Sequence, residues 1–219
     1  MRFFRDNGLT IVLLTATLVT IAGMLLSGWQ SLNQELAEHG FPQLPLLEYA
    51  GSGHFLSALF ENWESEFLQM ATYVVLTAFL FQRGSAESKD PDDTSSQDEH
   101  VLVPAHDPHV PGPLRGGRLA QKLYAYSLGI VLVVLFVASF ILHLFGSAQR
   151  EALEAALRGH PATSLVDHLG SAQFWFESFQ NWQSEFFSTA VLVVLSIFLR
   201  FKGSPESKPV AAPHHQTGG

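Results

Sequence analysis

The chain has 219 residues, of which 47% are hydrophobic, and a formal net charge of −8 from 20 Asp and Glu against 12 Lys and Arg. The basic residues form no dense block, so nucleic acid is not an expected partner. There is no cysteine, which excludes disulfides, thiolate metal sites and cysteine nucleophiles.

The apolar residues fall in four blocks, with a long polar stretch between the second and third. Leu9 to Leu26 carries no charge over 18 positions, the length expected of a membrane-spanning helix. Arg2 and Arg5 precede it, as they would in a signal peptide, but the block is long for such a segment and no small-x-small cleavage site follows. From Trp29 the run Ser31 to Glu38 is rich in helix formers, so the first helix is expected to continue outward for about three turns. Gly40 followed by Pro42 predicts its stop, because glycine accepts a left-handed cap and proline cannot continue a helix. A short piece, Leu46 to Ala50, leads to Gly51-Ser52, with Ser52 the expected N-cap of a second long helix that runs to about Phe81. Residues 84 to 118 are rich in Ser, Asp, Pro and Gly and are expected to stay disordered. The third block, Tyr124 to Phe145, repeats the first. Ser147 to Arg158 extends it outward, Gly159 and Pro161 stop it, and the last helix runs from Gly170-Ser171 to Phe201.

The match between the two halves needs no gaps at an offset of 119. Gly40 falls on Gly159, Pro42 on Pro161, Gly51-Ser52 on Gly170-Ser171, and Glu87-Ser88-Lys89 on Glu206-Ser207-Lys208. Apolar composition could mimic the spans but not the matched stops, caps and polar runs. If each half contributes two spans, ten of the basic residues (Arg2, Arg5, Arg83, Lys89, Arg115, Arg118, Lys122, Arg200, Lys202 and Lys208) fall on one side, with only Arg150 and Arg158 on the other. The positive-inside rule then puts both termini and the linker in the cytoplasm.

Asn62-Trp63-Glu64-Ser65-Glu66-Phe67 and Asn181-Trp182-Gln183-Ser184-Glu185-Phe186 open the second span of each half. Counting back about 20 residues from Arg83 or Lys202, the length needed to cross the hydrocarbon, reaches Trp63 or Trp182. Tryptophan favours the headgroup level, so these two are read as interface anchors. Glu66 and Glu185 then lie one helical turn deeper, where a carboxylate is costly unless paired, hydrated or protonated. Asn62, Ser65 and Glu66, with Asn181, Ser184 and Glu185, form the candidate polar site. It reads either as hydrogen-bonding glue between helices or as a shared cation or proton site with coupled carboxylates.

His143 is the single histidine within a span, too few for haem held between helices, and a hydrogen bond to a neighbouring helix is its expected role. His39, His54, His160 and His168 lie on the outer side without metal-binding spacing, so no metal site is assigned. No nucleophile elbow, phosphate loop or dinucleotide-binding glycine pattern is present.

The two N-W-x-S-E-F runs, together with Phe79-Leu80 through Lys89 and Phe198-Leu199 through Lys208 (F-L-x-x-(R/K)-G-S-x-E-S-K), resemble a family of small bacterial integral membrane proteins known as a domain of unknown function. The resemblance covers nearly the whole chain and implies a bacterial integral membrane protein, with no established activity. Ala86 stands where Pro205 stands in the second half, which touches only the exit turn.

The expected fold is an all-α membrane protein, four transmembrane helices from two tandem helical-hairpin repeats with outward helical extensions. Its parts are residues 1–89, a linker at 90–118, the second repeat at 119–208 and a disordered tail at 209–219. The expected role is a non-enzymatic structural or interaction component of the bacterial cytoplasmic (inner) membrane, without cofactor. Its partners would be the lipid bilayer and a second copy or another membrane protein. The alternative is an oligomeric cation or proton pathway through Glu66 and Glu185.

Overall fold

A computed structural model describes residues 2–93, 95–98 and 111–218. Among the described residues every regular element is helical. The elements are α1 (Arg2–Asp6), α2 (Gly8–Glu38), α3 (Leu46–Ala50), α4 (Gly53–Phe79), α5 (Arg118–Ala125), α6 (Ser127–Leu157), α7 (Leu165–Leu169) and α8 (Ala172–Phe198), with 3-10 turns at Ser96–Asp98 and Gly112–Arg115. Each bound of α6, α7 and α8 lies 119 positions after the corresponding bound of α2, α3 and α4. Much of the expected linker, at 99–110, lies outside the described residues.

Among the described residues two helices, α2 and α6, are both long and apolar enough to cross a membrane, with mean hydropathies of 2.4 and 2.8 over their best windows. None of that window of α2 is buried, leaving Val12, Leu13, Leu18 and Val19 among its exposed apolar side chains. At 27 residues each, α4 and α8 are about 40 Å long. They miss the same apolarity because Asn, Glu, Gln and Ser fill the turns around Trp63 and Trp182.

The chain forms two compact units, whose boundaries fall inside α4, α6 and α8: Met1–Glu61 with Phe140–Trp175, and Asn62–Ser139 with Phe176–Gly219. In the first unit, Leu32, Leu36, Tyr49 and Phe55 form the core, with Trp29, Leu44 and Leu153 against it. The stops form as the residues require. Gly40 adopts φ 74, the Gly40 N–H bonds Ala37 O, and the Phe41 N–H bonds Leu36 O, the paired bonds of a Schellman cap. Gly159 repeats this at φ 72, with bonds to Ala156 O and from the His160 N–H to Ala155 O. Ser52 Oγ accepts from the Phe55 N–H, and Ser171 Oγ from the Phe174 N–H, so both N-caps are in place. Between α4 and α6, a Cβ on Gly53 would lie 2.6 Å from Gly146 O, and one on Gly146 would lie 2.6 Å from Ser57 N. Small residues thus bring two backbones into direct contact, as at membrane helix crossings.

In the second unit, α4 and α8 end in left-handed glycines, Gly84 (φ 85) and Gly203 (φ 90). Ser88 Oγ accepts from the Gln82 N–H and Ser207 Oγ from the Phe201 N–H, folding both exits into the same turn. Residues 209–218, whose composition suggests disorder, are held at these exits by the Thr217 hydroxyl, which accepts from the Gly84 N–H, and by the Gly218 N–H, which donates to Ser85 O.

Candidate functional site

The polar residues singled out in the sequence lie on α4 and α8 of the second unit and take different orientations there. Ser65 is buried, whereas Asn62 and Glu66 are exposed. Asn181 and Glu185 are half-buried and Ser184 is exposed. Ser65 Oγ donates to Asn62 O and Ser184 Oγ to Asn181 O, both at 2.8 Å. The two serines therefore bond within their own helices, as hydroxyls in helix interiors commonly do.

The α4–α8 contacts pair the anchor Trp182 and the polar-face residue Gln69 with two residues not singled out in the sequence, Glu64 and Thr189. Trp182 Nε1 donates at 2.8 Å to Glu64, which is fully buried. One turn further in, Gln69 Nε2 donates to Thr189 Oγ1 at 2.6 Å. Glu64 is buried while Glu66 is exposed, because neighbouring helix positions differ by about 100° and the two lie on different faces. The one hint was that Glu64 stands against Gln183 in the other half, so the two copies differ where the anchor bonds. Glu66 lies within electrostatic reach of Glu185.

Below this level a groove of about 290 Å³ runs along the α4–α8 pair. Gln69, Thr72, Tyr73, Gln82 and Thr189 contribute its polar atoms, and Leu76, Phe186 and Val193 are among its apolar walls. At its inner end Tyr73 Oη donates to Glu87 Oε2 at 3.2 Å. The other oxygen, Glu87 Oε1, is buried with no protein donor. Burial, and then the hydrogen bond and charge of Glu206, hold the Glu87 carboxyl above its ordinary 4.5.

Two residues after Glu206, the ammonium of Lys208 is buried among backbone carbonyls. It donates to Gly84 O, to His214 O at 3.0 Å and to Gln216 O at 2.9 Å, with Pro213 O at 3.4 Å. Burial, and then the Arg200 guanidinium, push its pKa below the ordinary 10.5. Arg200 itself donates to Ala212 O at 3.0 Å.

The first unit holds a second polar network. His168 is buried, with Nδ1 bonded to Glu151 and Nε2 3.0 Å from Ser147 Oγ. This connectivity resembles a hydrolase triad. Ser147, however, is 1% exposed and lies inside α6, where the surrounding N–H groups are engaged in the helix and cannot stabilise an oxyanion. The network docks α7 on α6. On α2 and α3 the corresponding contact is Tyr49, whose hydroxyl lies 2.1 Å from where a Gly28 Cβ would be and 3.0 Å from His54 Nδ1. Burial, and then Arg150, hold the His54 pKa below its ordinary 6.5. His143 is buried with its ring 5.0 Å from that of Phe174 and a nitrogen within 4.8 Å of a Glu61 carboxylate oxygen. His39, His54, His160 and His168 join no cluster of three or more metal-type donors among the described residues.

Comparison with curated proteins and comparison with solved structures each gave no match. A family model described as a domain of unknown function, DUF6766, matches residues 1–219, and with the whole chain covered the protein belongs to that family.

Proposed function

We propose that the chain is an integral protein of the bacterial cytoplasmic membrane, with four spans from two copies of one helical hairpin. Both termini and the linker face the cytoplasm, and the protein serves as a non-enzymatic structural or interaction component. Three observations support the topology: element bounds that recur at one offset, the unburied apolar surface of α2, and basic residues gathered on one side of the four-span arrangement. The structural role rests above all on the Gln69–Thr189 bond, joining helices that are otherwise largely apolar at that level. In hydrocarbon such a bond holds helices together because the alternative is an unsatisfied polar group.

The absence of native cysteine makes topology directly testable. Single cysteines at Gln43, Ser95, Ala162 and Val210 would be labelled with a membrane-impermeant maleimide in oriented vesicles. Gln43 and Ala162 should react from outside, and Ser95 and Val210 only from inside. Opposite sidedness for Gln43 and Ala162 would overturn the tandem, same-orientation repeat.

One arrangement favours a second reading, a cation or proton pathway in an oligomer. The repeat-equivalent carboxylates Glu66 and Glu185 act on one another just above a groove along the same helix pair.

A further inference from the structure

We propose that the groove on α4 and α8 is a proton route whose cytoplasmic end is the carboxyl pair Glu87–Glu206, reached through the Tyr73 hydroxyl. This rests on the pathway reading above and extends it to a cargo and an exit. Three polar levels succeed one another along the same helix pair. Glu66 and Glu185 come first, three positions before Gln69 and four before Thr189. Gln69 and Thr189 are bonded across the groove one turn below. Tyr73 follows at seven positions from Glu66, on the same face of α4, and contacts Glu87. All lie within one compact unit.

The lining argues for protons over metal ions. A metal ion entering hydrocarbon must exchange its water shell for a ring of carbonyl or carboxylate oxygens. The groove offers amide and hydroxyl groups separated by apolar walls, which can order a file of water but cannot replace a hydration shell. Hydroxyls and water relay protons by giving one and taking another. In the inward step, Tyr73 Oη passes its proton to Glu87 Oε2 and regains one from groove water. Glu87 passes a proton to Glu206, and the exposed Glu206 releases it to the cytoplasmic water, so each group ends as it began. The buried Glu87 Oε1 meets no donor from the protein, so Glu87 keeps an oxygen open to a proton beside the one that Tyr73 contacts.

The test is proton uptake into proteoliposomes loaded with a pH-sensitive dye, driven by an imposed potassium diffusion potential. Wild type should take up protons and show no sodium flux under a sodium gradient. Tyr73→Phe, which keeps the ring and removes the relay hydroxyl, should slow uptake about tenfold, the scale set by one lost hydrogen bond in the route. Glu87→Gln with Glu206→Gln should slow it at least as much. Infrared difference spectra at neutral pH should show a protonated-carboxyl band in wild type that Glu87→Gln removes. Uptake lost in Glu66→Gln with Glu185→Gln, yet intact in the Tyr73 and Glu87/Glu206 variants, would overturn this exit and keep the pathway. No uptake by wild type would overturn both, and sodium flux equal to proton flux would overturn the cargo.

Discussion

The two exits, Gly84-Ser85-Ala86-Glu87-Ser88-Lys89 and Gly203-Ser204-Pro205-Glu206-Ser207-Lys208, are almost the same six residues and fold into the same turn, yet their lysines end differently. Lys89 reaches Asp98 at 2.8 Å and Ala78 O at 3.1 Å, with Nζ 5.8 Å from the centre of the Phe81 ring. Lys208 is buried under four carbonyls, three of them from the segment that follows it. Local sequence decides the turn, through a left-handed glycine and two serine hydroxyls. What happens to the charge depends on which distant backbone arrives beside it. A buried ammonium with all its hydrogens directed at carbonyls holds those strands of chain together, whereas a half-exposed ion pair contributes little.

Breaking the caged lysine should have the largest effect. Lys208→Met leaves several carbonyls without a donor and should cost about 2–4 kcal/mol, with new proteolytic cleavage between 209 and 218. Thermal unfolding in detergent with limited proteolysis measures both, and a tail that stays protected would remove the cage from the account. The glycines sharpen the comparison next. Alanine at either position adopts a left-handed φ at a cost of about 1–2 kcal/mol. At Gly203 its Cβ meets nothing within 4 Å, but at Gly84 it would lie 2.7 Å from His214 O. Gly84→Ala should therefore lower the melting temperature clearly more than Gly203→Ala. Equal shifts would mean that the tail yields without cost.

A smaller difference is expected with pH. The folded-state pKa of Glu87 is raised, so the folded chain holds more protons than the unfolded one above pH 4.5. Its contribution to stability is fully present below that value and is lost as pH rises through the raised pKa. Glu87→Gln should flatten this slope in melting curves taken between mild acid and neutral pH; an unchanged slope would assign it to another group. Lys89→Met should have the least effect, under about 1 kcal/mol, because its ion pair is partly solvated. A loss as large as that of Lys208→Met would erase the contrast.

Much of the helical outline was legible because local rules govern it. Gly40 and Gly159 stop helices, and Ser52 and Ser171 start them, through bonds spanning only a few residues. Less legible were contacts that depend on which segments meet. Glu64 and Glu66 sit two residues apart and look alike in a string, but helix rotation turns one into a buried bond with Trp182 and leaves the other exposed. Thr189 was illegible for the same reason: nothing in its local sequence marks it as the residue that meets Gln69 across the helix pair. The tail at 209–218 looked unstructured because composition measures apolar burial, and this segment is held by its carbonyls. The segments at α4 and α8 were expected as spans from Trp and basic markers, while their polar openings keep them below the apolarity of α2 and α6.

The Lys208–Gly84 bond also orders events in time. During synthesis the Gly84 carbonyl emerges 124 residues before its ammonium partner, so the first exit turn must wait without that bond until Lys208 has been made. The bond can therefore close only at a late stage of biogenesis. A reporter fused shortly after residue 208 would be crowded against that closing step and would disturb assembly more than the same reporter placed in the linker.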